Sequence, residues 1–319
     1  MKILSPIVYV LLLLAVVSPV SALETGPPPP AVAQFESLTG TWEVFSRYRL
    51  AEDEWEETTA LSTIDWHLGG HVLLERWLGT RGDALLEITT LRGFSTRENR
   101  WKMAWADTLT AGIQDFSQEM LDENSLTVRG ANSMRLTLEI IDDDHFDVTI
   151  KEADDETPIW TMQYTRLADD VDVDAIADAI RERGEAVPPP PETEQFAFFI
   201  GDWEGPFQQH DFEPFDSTDT VTWALGGHAI EEHVVTQLNG TPTEAWGLSR
   251  YNSERGVWEQ LRWDTLLSGF FRFGNGRCDE VGCTIGIFTY VNIDADNLLW
   301  RNGSASNPAW TMEMRRVSS

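Results

Sequence analysis

The sequence predicts an all-β protein: two tandem antiparallel β-barrels joined by a short helix and a proline-rich linker. Three observations predict it. The chain repeats itself once, in order, over nearly its whole length. Its commonest pattern is a short alternating or β-branched run broken by Gly, Asn or Asp. One interior segment alone has helical periodicity.

The repeat is read segment by segment. PPPPAVAQFESLTGTW (27–42) and PPPPETEQFAFFIGDW (188–203) share four prolines, Gln-Phe and Gly-x-Trp at the same internal spacing. STIDWHLGGHVLLERW (62–77) matches DTVTWALGGHAIEEHV (219–234), pairing Trp66 with Trp223, His71 with His228 and Glu75 with Glu232. GFSTRENRWKMAWADTLTAG (93–112) matches RYNSERGVWEQLRWDTLLSG (250–269), pairing Trp101 with Trp258 and Asp107 with Asp264. WTMQYTR (160–166) matches WTMEMRR (310–316). Length changes fall between segments, so this is a duplication of whole domains rather than a solenoid. A chain of 319 residues accommodates two units of about 150.

The elements follow in chain order. Residues 1–22 read as a signal peptide: Lys2, an apolar run from Ile7 to Val17, then Val20-Ser21-Ala22 at the expected cleavage point. That run is short for a membrane span of about 20 residues, so the protein is expected to be exported, periplasmic or secreted, with no stable membrane anchor. Residues 23–34 are a proline-rich spacer and 35–167 the first barrel. LLEITTLRGF, SLTVRG, RLTLEII and HFDVTI supply its strands, and Leu-Gly-Gly between two runs marks a tight hairpin turn. Each unit holds eight to ten short strands. A sheet of that size without helical cover tends to close, which removes its edges. In 168–195, Val173, Ile176 and Ile180 give a short amphipathic helix ending at Gly184, followed by Pro188–Pro191 as a stiff spacer. Residues 196–319 are the second barrel. The two cysteines, Cys278 and Cys283, sit in a turn-rich segment. In an exported chain they read as a local disulfide, with two free thiols as the alternative.

Charge narrows the partners. Asp and Glu number 53 against 23 Lys and Arg, giving a net charge of −30. Such a surface repels nucleic acid and anionic lipid. It keeps a protein soluble and suits a salty medium.

The sequence carries no Gly-x-Ser-x-Gly, His-Glu-x-x-His, phosphate loop or dinucleotide fingerprint. The candidates left are the polar residues shared by both units: His71 and His228, Glu75 and Glu232, Asp107 and Asp264. His71 and Glu75 are four apart, so on a strand they face one side. Asp107 shares a face with Trp101, Met103, Trp105 and Leu109, where a carboxylate needs a partner. In the second unit Arg262, two residues before Asp264, is placed to be one. These residues either hold the fold or form a polar floor in an apolar pocket. Nothing in their spacing is diagnostic of a metal, and no cofactor is expected.

Each unit opens on Gly-x-Trp (Trp42; Trp203) and closes on a strand ending in Arg (Arg166; Arg316). In this it resembles the calycin superfamily of lipocalins and fatty-acid-binding proteins. The Leu-Gly-Gly turn adds similarity to an uncharacterised bacterial family of exported lipocalin-like domains. The resemblance implies lipocalin-like barrels in which the terminal Arg covers the first-strand Trp, and an interior that holds one small apolar or aromatic ligand. Barrels of this broad kind that bind haem do so through a histidine near the chain end, and neither closing strand has one. Binding without catalysis leads. An enzyme (isomerase, cyclase or hydrolase) using the shared His and carboxylates is one alternative, and a structural or interaction module another.

Overall fold

A computed structural model of the protein describes residues 26–317 apart from 132, 153 and 267. The signal-peptide expectation for 1–22 therefore lies outside the described residues.

Two closed ten-stranded antiparallel barrels make up the molecule. The first is β1 (Gly40–Ala51), β2 (Glu54–His67), β3 (Val72–Arg81), β4 (Ala84–Ser95), β5 (Arg100–Asp107), β6 (Gln114–Leu121), β7 (Ser125–Gly130), β8 (Met134–Asp142), β9 (His145–Glu152) and β10 (Pro158–Arg166). The second is β11 (Gly201–Gln209), β12 (Phe215–Ala224), β13 (Ala229–Leu238), β14 (Thr241–Asn252), β15 (Val257–Asp264), β16 (Gly269–Cys278), β17 (Gly282–Ile285), β18 (Phe288–Asn292), β19 (Asn297–Ser304) and β20 (Asn307–Arg316). Neighbouring strands are sequence neighbours, and each barrel closes where its last strand pairs its first.

The closure uses the repeated motif. Trp42 pairs with Arg166 and Trp203 with Arg316. A 3-10 segment, Pro30–Leu38 or Pro191–Phe199, precedes each barrel and plugs the end where β1 or β11 begins, burying Phe35 and Leu38, or Phe196 and Phe199. Trp42 Nε1 donates to Leu38 O at 3.0 Å, and Trp203 Nε1 to Phe199 O at 2.8 Å. The Arg166 guanidinium lies 4.1 Å over the Trp42 ring and donates to Thr39 and Ser37 carbonyls. Arg316 lies 4.2 Å over Trp203 and donates to Ile200 and Phe198 carbonyls. Cation–π stacking and satisfied helix-end carbonyls reinforce each other here. Gly40 (φ +133°) and Gly201 (φ +139°) precede by two residues because a Cβ there would overlap Arg166 or Arg316 Nη1. Gly-x-Trp and the terminal Arg are thus one device.

The linker is docked rather than free. α1 (Val173–Arg183) is capped by Asp172 and packs Ile180 and Ala177 on Leu61, Leu78 and Leu85, on the outside of barrel 1. Cys278 and Cys283 are disulfide-bonded across β16 and β17. No helix among the described residues is long and apolar enough to cross a membrane.

The barrels also share a core. Outward-facing Leu74, Leu91, Ala104 and Ala106 of barrel 1 pack on Trp246, Leu248, Leu261 and Trp263 of barrel 2. Trp263 lies against Gly93, where an added Cβ would come within 2.6 Å of the indole. Polar contacts frame the patch. Buried Arg250 donates to Asp107 O at 2.9 Å and Thr110 O at 2.8 Å. Glu259, fully buried, accepts from Ile113 N at 2.9 Å.

Candidate functional site: the open end of the second barrel

Both barrels carry a glutamate in their interior, placed by the inward alternation of β3 and β13. Glu75 Oε1 accepts from Ser62 Oγ at 2.8 Å and Tyr164 Oη at 2.9 Å, and Oε2 from Arg92 Nη2 at 2.5 Å. Burial, then the Glu75 charge, holds the Tyr164 phenol well above its ordinary range. In barrel 2 the partners change. Arg262, from β15 rather than β14, donates from Nη1 to Glu232 Oε1. Asp219 stands where barrel 1 has Ser62, and neither of its oxygens finds a partner among the described residues.

Beyond the glutamate, toward the end opposite the 3-10 plug, the barrels diverge. In barrel 1 the space is filled by Trp77, Trp105 and Trp160, packed edge to face at 6.0 and 6.4 Å, leaving about 20 Å³. In barrel 2 a cavity of about 130 Å³ remains, walled by Phe273, Phe288, Trp300, Trp310 and Met312, with Arg262 and Asp264 as its charged lining. The repeat explains the difference. Trp77 becomes Val234, Leu86 becomes Thr243, Ile88 becomes Ala245 and Trp105 becomes Arg262. Gly79 follows the same logic: a Cβ there would lie 2.5 Å from the Trp77 ring, and the matching position, freed of that ring, is Thr236. Arg262 lies 4.8 Å from the Trp300 ring centre and 5.4 Å from that of Phe288.

The shared candidates occupy three different places. Glu75 and Glu232 are interior. His71 and His228 sit at the plugged end, beside the Leu-Gly-Gly turns. Their Nε2 atoms bond the carbonyls of Gly26 and Val187, each 3.0 Å away, immediately before the proline runs. Burial, the leading cause, lowers the His228 pKa. Each histidine therefore ties a proline strap to its own barrel. Asp107 closes a turn: Oδ1 accepts from Leu109 N and Thr110 N, and Oδ2 from Thr110 Oγ. Asp264 ends β15 at the cavity lining. Arg262, two residues before it, bonds Glu232, because both side chains point into the barrel from β15 and β13. His71→Ala and His228→Ala should each cost about 0.5–1.5 kcal/mol in urea unfolding, one ordinary hydrogen bond, and leave ligand retention unchanged. Lost retention without lost stability would place histidine in the site.

Asp219 is the residue that sequence comparison missed, since it is not shared between units. Burial, then the Glu232 charge, pushes its carboxyl well above the ordinary range. Burial also raises Glu232, with Arg262 opposing. A carboxyl raised in the folded state binds more protons folded than unfolded. Its contribution therefore weakens the protein as pH climbs from about 3.9, the unfolded value, through the folded one. Asp219→Asn removes that loss. The variant's stability relative to the native protein should rise with pH above about 4, by at most about 1.4 kcal/mol per pH unit. A difference independent of pH would count against the buried proton.

Among the described residues no group of three His, Cys, Asp or Glu side chains is placed to hold a metal ion. No family model matches the chain, and no curated protein matches its sequence. Among solved structures it is similar to a protein of unknown function from the DUF3598 family of Nostoc punctiforme. Identity is 11% over 90% of this chain and 98% of that one, with a TM-score of 0.22. At so low a score the fold rests on this chain's own strand pairing.

Proposed function

We propose that the protein binds a small apolar or aromatic ligand in the open end of barrel 2, without catalysis. The observation that carries this is the asymmetry of the copies: about 130 Å³ of aromatic-walled space in barrel 2, against about 20 Å³ beside the glutamate and about 10 Å³ toward the end of barrel 1. Ligand sites are concave, mostly apolar and supplied with few polar groups, and this end has that character. Glu232 and Asp219 do not line the cavity, which favours binding over acid–base work. Membership of the lipocalin-like superfamily and export with cleavage after Ala22 belong to the same reading. The repeated Gly-x-Trp and Arg closure supports the first, and the disulfide suits the second.

The test copies barrel 1 into barrel 2. Val234→Trp with Thr236→Gly supplies the indole and the space it needs. The double variant should fold, with a melting temperature at or above the native one. It should lose at least tenfold in toluene affinity by calorimetry, about 1.4 kcal/mol. Toluene binding unaffected by the filling, or absent from the native protein, would refute the site.

A further inference from the structure

The open end of barrel 2 is selective as well as hollow. Its volume, about 130 Å³, approaches that of an apolar cavity that takes benzene, about 150 Å³. One ring fits. Trp300 and Trp310 stand at 87° with centroids 5.1 Å apart, and Phe288 lies 5.8 Å from each. These walls offer both a face and an edge to an aromatic guest.

The charged groups decide what that ring carries. Arg262 faces the cavity, so a cationic guest meets a like charge at the floor. An anion fares no better, because Arg262 already bonds Glu232, and Asp219 lies buried beside that pair. With Glu232 ionised the cluster is neutral when Asp219 holds a proton and negative when it does not. An added anion would be a buried charge with no counterion left to meet it. A guanidinium has five N–H donors in a fixed fork, and the one bonded to Glu232 leaves others to face the cavity.

We infer that the ligand is an uncharged single-ring aromatic bearing one hydrogen-bond-accepting oxygen, which takes an N–H of Arg262. This rests on ligand binding in barrel 2 and assigns its chemical class. An oxygen carried on the ring and bonded to Arg262 leaves the guanidinium stacked by Trp300, so recognition needs no rearrangement of the Glu232 pair.

Three probes of one size test it on the full chain: toluene, benzaldehyde and benzoate, titrated calorimetrically at pH 7. Benzaldehyde should bind about tenfold more tightly than toluene, and benzoate at least tenfold more weakly than benzaldehyde. Arg262→Met keeps the stem and removes the donors. It should bring benzaldehyde to the toluene level, so that within the variant the two bind within about twofold of each other. Benzoate binding as tightly as benzaldehyde, or a benzaldehyde preference that survives Arg262→Met, overturns the assignment while leaving the cavity occupied. Binding of none of the three, or binding unaffected by Val234→Trp/Thr236→Gly, overturns the site itself and the assignment with it. If Arg262→Met does not fold, the ranking of the three probes on the native protein decides.

Discussion

Glu75→Ala is expected to lower the stability of the protein by about 3–5 kcal/mol in equilibrium urea unfolding, the usual cost of stranding one half of a buried ion pair. Glu75 is 2% exposed and Arg92 4%. Arg92 donates from Nη2 to Glu75, while its Nε and Nη1 find no partner among the described residues. Removing the carboxylate leaves a guanidinium in a packed interior with about 20 Å³ beside it, too little for a solvation shell. It also strips Ser62 and Tyr164 of their acceptor. Glu232→Ala should cost less, because it also removes the repulsion between the Glu232 charge and buried Asp219. The double variant Glu75→Met/Arg92→Met should recover most of the loss, since well-packed apolar replacements of buried pairs are often neutral. A Glu75→Ala loss below about 1 kcal/mol, or a larger loss at Glu232, would show that the two floors are not built as described.

Trp263→Ala should cost about 3–5 kcal/mol, as for a fully buried aromatic truncated in a core. The ring is 0% exposed and meets Phe270 edge-on at 4.8 Å, yet it belongs to neither barrel's interior. It fills the contact between barrels against Gly93. The measurement that isolates this is a double-mutant cycle. Gly93→Ala alone should destabilise, because its methyl would press on the indole. In the Trp263→Ala background the same change should be close to neutral, giving a coupling of about 0.5–3 kcal/mol. Additive effects would mean the barrels are not packed through this pair.

How legible this was depended on whether the signal was local. The Leu-Gly-Gly turns, the helix ending at Gly184 and the Cys278–Cys283 pair are set by short-range pattern, and the structure places them accordingly; the stacking of each terminal Arg on its Trp, which the resemblance implied, is also present. The role of His71 depends on Gly26, 45 residues away, and no spacing rule connects a turn histidine to a proline strap. The shared face between barrels was written in the sequence but read only by half. WKMAWAD and WEQLRWD are buried on both faces along most of their length, and a strand buried on both faces loses the alternation that a half-exposed one shows. The cavity escaped for a different reason. Residues common to both copies, Glu75 with Glu232 and His71 with His228, report what the fold needs. What distinguishes the copies is at positions that changed: Trp77 to Val234, Ile88 to Ala245, Trp105 to Arg262 and Ser62 to Asp219. In a duplicated protein the divergent interior positions are the ones to compare for a binding site, because each large-to-small change opens volume that packing otherwise fills.

One copy of the duplicated barrel is packed and the other hollow. Xenon enters dry apolar cavities and needs no knowledge of the natural ligand. Diffraction from xenon-pressurised crystals should show xenon in barrel 2, among Phe288, Trp300 and Trp310, and none beside Trp77, Trp105 and Trp160 in barrel 1. Xenon in both barrels, or in neither, would contradict it.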